Sequence, residues 1–260
     1  MLGVILAGGW GTRLKTFTDV SNKHLAPIYS KDGATPMIHY PIKTLRNSGV
    51  TEILIISSRE HSGDIIQHLG DGEDLGVRLT YKIQEMNRSP TGIAQALKLS
   101  KHFIGNNNFA VILGDNYYEN TFKEDFDDFS KYFKPHEAAA QVFLKEVYDP
   151  NRFGVATVDK SNYNKILKIV EKPKNPETNL AVTGLYLYTP KVFDLLPLFK
   201  PSTRGEVEIT DVNNWYVENG KMRSGKILQG FWHDMGTPES IIKTQNFIVN
   251  VGKETTKSLV

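Results

Sequence analysis

An apolar segment that runs straight into a glycine-rich turn constrains this chain more than any other feature. Residues 3–14 read Gly-Val-Ile-Leu-Ala-Gly-Gly-Trp-Gly-Thr-Arg-Leu: a run of strand length, three glycines within four positions (Gly8, Gly9, Gly11), then a hydroxyl and a guanidinium. Such a turn brings main-chain N–H groups close to an anion with no Cβ in the way. Arg13 adds a permanently charged fork that matches phosphate oxygens, and Lys23, ten residues on, is a second cation. Leu14 stands where a dinucleotide fingerprint needs its third glycine, and the Gly-Lys-Ser/Thr of a Walker loop is absent. What remains is a main-chain cradle with two cations, a device for gripping a triphosphate.

Bulk properties narrow the class. The chain has 260 residues, enough for a large core. With 31 Lys+Arg against 29 Asp+Glu it has no basic footprint, which argues against a nucleic-acid partner. The absence of cysteine excludes disulfides, thiolate nucleophiles and Cys-ligated metal. No basic segment precedes the first apolar run, which is too short for a secretory leader, and no stretch is long enough to span a bilayer. The expectation is a cytoplasmic enzyme without a membrane partner.

Along the first half, apolar runs at 2–6, 52–56, 78–83 and 109–113 read as strands, and 37–47, 63–69 and 91–101 as helices. This alternation predicts an α/β fold, a Rossmann-like mixed but mostly parallel sheet flanked by helices, with ligands beyond the carboxyl ends of its strands. The second half is richer in strands, at 138–144, 154–158, 166–170 and 182–188, with helices at 191–196, 209–218 and 238–249. One domain over 1–260 is expected, with a nucleotide-binding half to about 120, a sugar-phosphate half over about 121–250, and a frayed polar tail at 251–260.

Several further segments share one pattern with the glycine loop: Gly114-Asp115-Asn116, Glu171-Lys172-Pro173, Ala181-Val182-Thr183-Gly184-Leu185-Tyr186, the run 204–213 from Arg204 to Asn213, and Asp234-Met235-Gly236-Thr237. In this order and spacing the chain resembles the sugar-1-phosphate nucleotidylyltransferases over nearly its whole length. Among them it is most similar to the short form of the glucose-1-phosphate thymidylyltransferases. The resemblance implies a reaction of dTTP, or UTP, with glucose 1-phosphate that releases pyrophosphate. The nucleophile, a phosphate oxygen, is already ionised, so no Ser, Cys or general base is required and catalysis is positioning plus charge neutralisation.

It also implies roles. Arg13, Lys23 and Lys172 are the catalytic cations. Leu6, Ala7, Gly8, Gly9, Gly11, Thr12, Arg13, Lys23, Gln84, Gly92 and Asp115 hold the nucleotide, with the Gln84 amide suited to a pyrimidine edge. Asn116, Gly154, Glu171, Lys172, Val182, Thr183, Tyr186 and Arg204 line the sugar pocket, and Asp115 with Asp234 hold Mg²⁺. A homo-oligomer, dimer or tetramer, is implied too, with little or no feedback through a secondary site because the longer forms carry an additional C-terminal portion. The chain departs from the family at His24, where Gln is usual, at Thr16, where Pro is usual, and in a longer loop over 85–89. That loop leaves the choice between thymine and uracil open. His61, His68 and His233 are read as having no metal role, and a non-catalytic sensing subunit on the same fold is the rival reading.

Overall fold

The structure is a computed structural model that describes residues 1–9, 11–31, 33–60, 62–85 and 92–257. Its strands are β1 (Leu2–Ala7), β2 (Pro27–Ser30), β3 (Gly33–Pro36), β4 (Glu52–Ser58), β5 (Arg78–Gln84), β6 (Phe109–Leu113), β7 (Asn116–Tyr118), β8 (Ala140–Glu146), β9 (Gly154–Asp159), β10 (Asn162–Glu171), β11 (Leu180–Tyr188), β12 (Met222–Ile227) and β13 (Trp232–Asp234). One nine-stranded sheet has the order β10-β9-β11-β6-β1-β4-β5, and β8 joins it at β11 with β12 beyond. β6, β1, β4 and β5 run parallel. β11 is antiparallel to β6 and carries the sheet into the second half of the chain.

Strand β1, paired on both sides, shows why this sequence forms a covered sheet. Val4 and Leu6 enter one apolar cluster while Ile5 and Ala7 enter the other. A strand apolar at successive positions has no face to give to water, so both sides must be packed, as in doubly wound sheets. Helices His39–Asn47 and Ile93–Lys98 help to cover β1, one on each face.

Strand order also locates the site. From β1 the chain goes to β4 and β5 on one side, then returns to β6 on the other. The order therefore reverses between β1 and β6, and the loops that leave those two strands diverge there. They are the glycine loop and Gly114-Asp115. Gly114 N–H donates to the Leu6 carbonyl at 2.9 Å. A Cβ on Gly114 would stand 2.7 Å from the His24 ring, so the approach of the two loops needs a glycine there.

Most expected elements are present within a few residues, and 109–113 and 209–218 match their bounds. The helix expected over 91–101 is two pieces, Ile93–Lys98 and Lys101–Ile104, and Thr91 lies outside the described residues. The last helix, expected to end at 249, runs Pro238–Lys257. Helix Lys123–Tyr132, hairpin β2–β3 and the short pair β7–β13 are additional to the expectation.

Candidate active site

The β7–β13 pair brings the two candidate metal ligands together. Asp234 pairs with Asn116 in its register, and Met235 N–H donates to the Asp115 carbonyl at 2.8 Å. Both aspartates line one cavity of about 250 Å³, whose wall also carries Arg13, Arg152, Gly154, Glu171, Lys172, Val182, Tyr186 and Arg204. A second cavity, of about 430 Å³, lies under the glycine loop and is lined by Gly9, Thr12, Thr18 and Lys23 among others.

Lys23 links the two spaces. It lines the loop cavity, and its Nζ donates to Asp115 Oδ2 at 2.6 Å. The other Asp115 oxygen accepts from Asn116 Nδ2 at 3.0 Å. Burial alone would push the Asp115 carboxyl up, but the Lys23 ammonium and the Lys23 and Asn116 hydrogen bonds hold it well below the usual carboxylate range. Asp234 Oδ1 accepts from Gly236 N–H at 2.7 Å, a tight turn that fixes the carboxylate. Arg13 lies against that turn: a Cβ on Gly236 would come within 2.9 Å of Arg13 Nη2.

Beneath this group His24 is buried, with Nδ1–H donating to Asn22 Oδ1 at 2.7 Å. Burial first, and the neighbouring Lys23 second, lower its pKa from 6.5 to about 3. The imidazole is neutral and packs against Gly114. The unfolded chain therefore binds a proton below its pKa of 6.5 that the folded chain refuses down to about 3. Stability falls as pH drops through that window, at most by about 1.4 kcal/mol per pH unit, and His24 has no pH effect above it. His24→Gln is expected to flatten this acid limb, read as urea midpoints at a series of pH values. Parallel wild-type and variant curves would contradict the buried neutral imidazole.

Another part of the wall is a carboxylate set among donors. Glu171 Oε2 accepts from Thr210 Oγ1 at 2.6 Å, and Oε1 lies 3.2 Å from both Arg204 Nη2 and Lys172 Nζ. Arg204 is anchored in turn by Glu208, at 2.7 Å from Nη2 and 3.1 Å from Nε. Lys172 has φ 41, a left-handed backbone that a lysine adopts only at a cost. Its N–H donates to the Phe153 carbonyl at 2.9 Å, which pins that conformation where its side chain enters the cavity wall.

Not every expected residue reaches the cavity. Leu6 and Ala7 are buried at the end of β1, while Thr12 is exposed at the mouth of the loop. Gly8 sits against Gln84, whose Oε1 would be 2.9 Å from a Cβ there, so the proposed base reader touches the glycine loop. Gly92 abuts Val207 and Glu206 instead; neither Gln84 nor Gly92 lines the two cavities. The loop 86–91 between them lies outside the described residues. Thr183 is fully buried and does not line the cavity whose wall includes Val182 and Tyr186. Asn116 does line it. Its Oδ1 accepts from Trp232 Nε1 at 2.8 Å and Gly184 N–H at 3.2 Å, and its Nδ2 serves Asp115. Both ends of the amide are used by the protein, so Asn116 orients Asp115.

Arg152, Glu208 and Thr210 are wall residues that the sequence reading did not assign. The last two lie inside the motif that supplied Arg204. The signal for Arg152 was a cation two positions before Gly154. His68 meets His39, Nε2 to Nε2 at 2.9 Å, but no three His, Asp or Glu side chains converge as metal ligands among the described residues. His61 lies outside those residues, and His233 stacks on Phe231.

Comparison with known proteins agrees with this geometry. The sequence pattern of the family described as nucleotidyl transferase matches residues 2–251. The glucose-1-phosphate thymidylyltransferase of Neisseria gonorrhoeae is 41% identical over 252 residues, 96% of this chain and 83% of its own length. The protein of that name from Xanthomonas campestris pv. campestris (strain B100) is 39% identical over 250 residues, 96% of this chain and 81% of its own. A crystal structure of a Bacillus anthracis protein assigned as a glucose-1-phosphate thymidylyltransferase, in complex with sucrose, superimposes with a TM-score of 0.85 at 42% identity, covering 95% of both chains. This chain therefore belongs to the nucleotidyl transferase family.

Proposed function

We propose that this protein transfers the thymidylyl group of dTTP to glucose 1-phosphate, giving dTDP-glucose and pyrophosphate, with Mg²⁺ as the ion. One observation carries the reading. A single cavity beside the glycine loop is lined by four cations, Arg13, Arg152, Lys172 and Arg204, together with the carboxylates Asp115 and Asp234. That is what two substrates of like charge require of an enzyme that must bring them into contact.

The donor set suits the ion. Two carboxylate rims fixed by Asn116 and Gly236 offer hard oxygen to one space, and Mg²⁺ commonly takes one or two carboxylates plus phosphate oxygens and waters. When bound, the ion neutralises phosphate charge and polarises the phosphorus centre. The remaining work belongs to side chains. The glycine loop and Arg13 hold the triphosphate, and Lys23 leaves Asp115 to contact its oxygens. Glu171 accepts hydrogen bonds from sugar hydroxyls, and Lys172 positions the sugar phosphate. A phosphate oxygen then forms a bond to the α-phosphorus while the bond to the β-phosphate oxygen breaks. Pyrophosphate leaves with that electron pair, and no proton moves.

Gln84 can donate to and accept from thymine and uracil alike. The decisive experiment is a matrix of nucleoside triphosphates against sugar 1-phosphates, followed by pyrophosphate release. The expected maximum is dTTP with glucose 1-phosphate. A maximum with UTP would move the protein to the uridylyl enzymes, and no turnover with any pair would favour the sensing subunit.

A further inference from the structure

Each carboxylate assigned to the ion is already faced by a basic side chain of the same protein. Lys23 Nζ lies 2.6 Å from Asp115 Oδ2, and the two side chains are only 14% and 12% exposed. Arg152 Nη2 lies 3.6 Å from Asp234 Oδ2. That nitrogen is shielded from solvent and has no hydrogen-bond acceptor among the described residues. The rest of the guanidinium is tied down, with Nη1 donating to Asp149 Oδ2 at 2.8 Å and its centre 5.3 Å from the Phe153 ring. Arg152 is thus held from behind and presents one unbonded corner toward Asp234, with which it shares the cavity wall.

We propose that Lys23 and Arg152 are internal counter-ions: they neutralise Asp115 and Asp234 in the absence of a divalent ion, and pass to phosphate oxygens when the ion arrives with a triphosphate. The inference rests on the reading of the two aspartates as ion ligands. A carboxylate as buried as Asp115 persists as an anion only with positive charge beside it. In the free protein Lys23 supplies that charge from within hydrogen-bond distance.

A divalent ion entering alone must displace the ammonium and leave it, with Arg152, facing an uncompensated positive site. The same ion arriving on a triphosphate brings excess negative charge, and both displaced cations gain acceptors at once. Binding of ion and nucleotide is thereby coupled through two side chains. The fixed Asn116 bond to Asp115 Oδ1 suits this exchange, because it keeps the carboxylate aimed while the partner at Oδ2 changes. Arg152 becomes a positioning residue for Asp234 in one state and a phosphate contact in the other.

The test is binding of Mn²⁺ without nucleotide, read from the electron paramagnetic resonance signal of the free ion. Lys23→Met is expected to tighten Mn²⁺ at least about tenfold and Arg152→Met about threefold, as buried and partly exposed counter-ions are removed. Adding Asp115→Asn to Lys23→Met is expected to erase the gain. With dTTP present the order reverses, and wild type binds the ion most tightly. Should Lys23→Met fail to fold, Arg152→Met alone decides. Unimproved Mn²⁺ affinity in the folded variants overturns the exchange, as does a gain that survives Asp115→Asn. Those results in a wild-type protein that makes dTDP-glucose leave the proposed function standing. A wild type that neither binds Mn²⁺ with dTTP nor releases pyrophosphate removes the function as well.

Discussion

Asp115→Asn and Asp234→Asn are each expected to lower pyrophosphate release about 10³-fold, since an ion-held transition-state charge is worth several kcal/mol and each 1.36 kcal/mol is tenfold in rate. The substitution keeps shape and removes charge. At position 234 the amide oxygen can still accept the Gly236 N–H that now lies 2.7 Å from Asp234 Oδ1, so the turn is preserved. At 115 the exchange strands Lys23, whose Nζ has Asp115 Oδ2 at 2.6 Å. Losing one partner of a buried pair costs about 3 kcal/mol, so Asp115→Asn should melt well below wild type while Asp234→Asn melts close to it. Steady-state kinetics beside thermal melts separate the two effects. Turnover near the wild-type rate in a folded Asp234→Asn would remove that residue from the ion site.

The second large effect is expected at Lys172. Lys172→Met should reduce kcat/KM for glucose 1-phosphate about 10²-fold, the scale of one preorganised charge contact, with a much smaller change in the KM for dTTP. Its backbone permits a second readout that charge alone does not control. At φ 41 any L side chain is strained, and glycine is not. Lys172→Gly is therefore expected to be about 1 kcal/mol more stable than Lys172→Ala, with both equally impaired in turnover. Chemical denaturation of the two variants checks this. An alanine variant as stable as the glycine variant would mean the left-handed conformation is not imposed by the Phe153 carbonyl contact.

Local patterning made much of the first half of the chain legible. Residues 2–6 and 109–113 are unbroken apolar runs of strand length, and such runs survive in a sheet covered on both faces. The loops that leave them contain Gly8, Gly9, Gly11 and Gly114, and the cations and carboxylate stand directly after those turns. Helix Lys123–Tyr132 escaped because its apolar signal is only Phe126 and Phe129 within a charged segment. Those rings become informative once Phe126 stacks on Phe122, which in turn meets Phe143, and Phe129 joins the same buried cluster. β13 escaped because three residues pairing with three others have no periodicity to read.

The candidate site divides along the same line. Arg13, Lys23, Asp115, Glu171 and Lys172 each sit in a short motif that betrays its chemistry. The surroundings of Thr183 and Asn116 are a matter of packing: one is fully buried, and the other lines the cavity with its amide bonded to Trp232, Gly184 and Asp115. Arg152 is informative only because Asp149 and Phe153 fix it from behind while Asp234 stands in front.

From the sequence alone came the covered strand, the glycine cradle and the stock of cations and carboxylates, because propensity, turn chemistry and side-chain charge are properties of neighbours in the chain. Tertiary structure decided which of these groups share a cavity. Asp115 and Asp234 are far apart in sequence and meet through the antiparallel register of β7 with β13. Lys23 meets Asp115 because the strand order reverses between β1 and β6. Convergence of charge depends on distances through space, and burial sets how strongly those charges act.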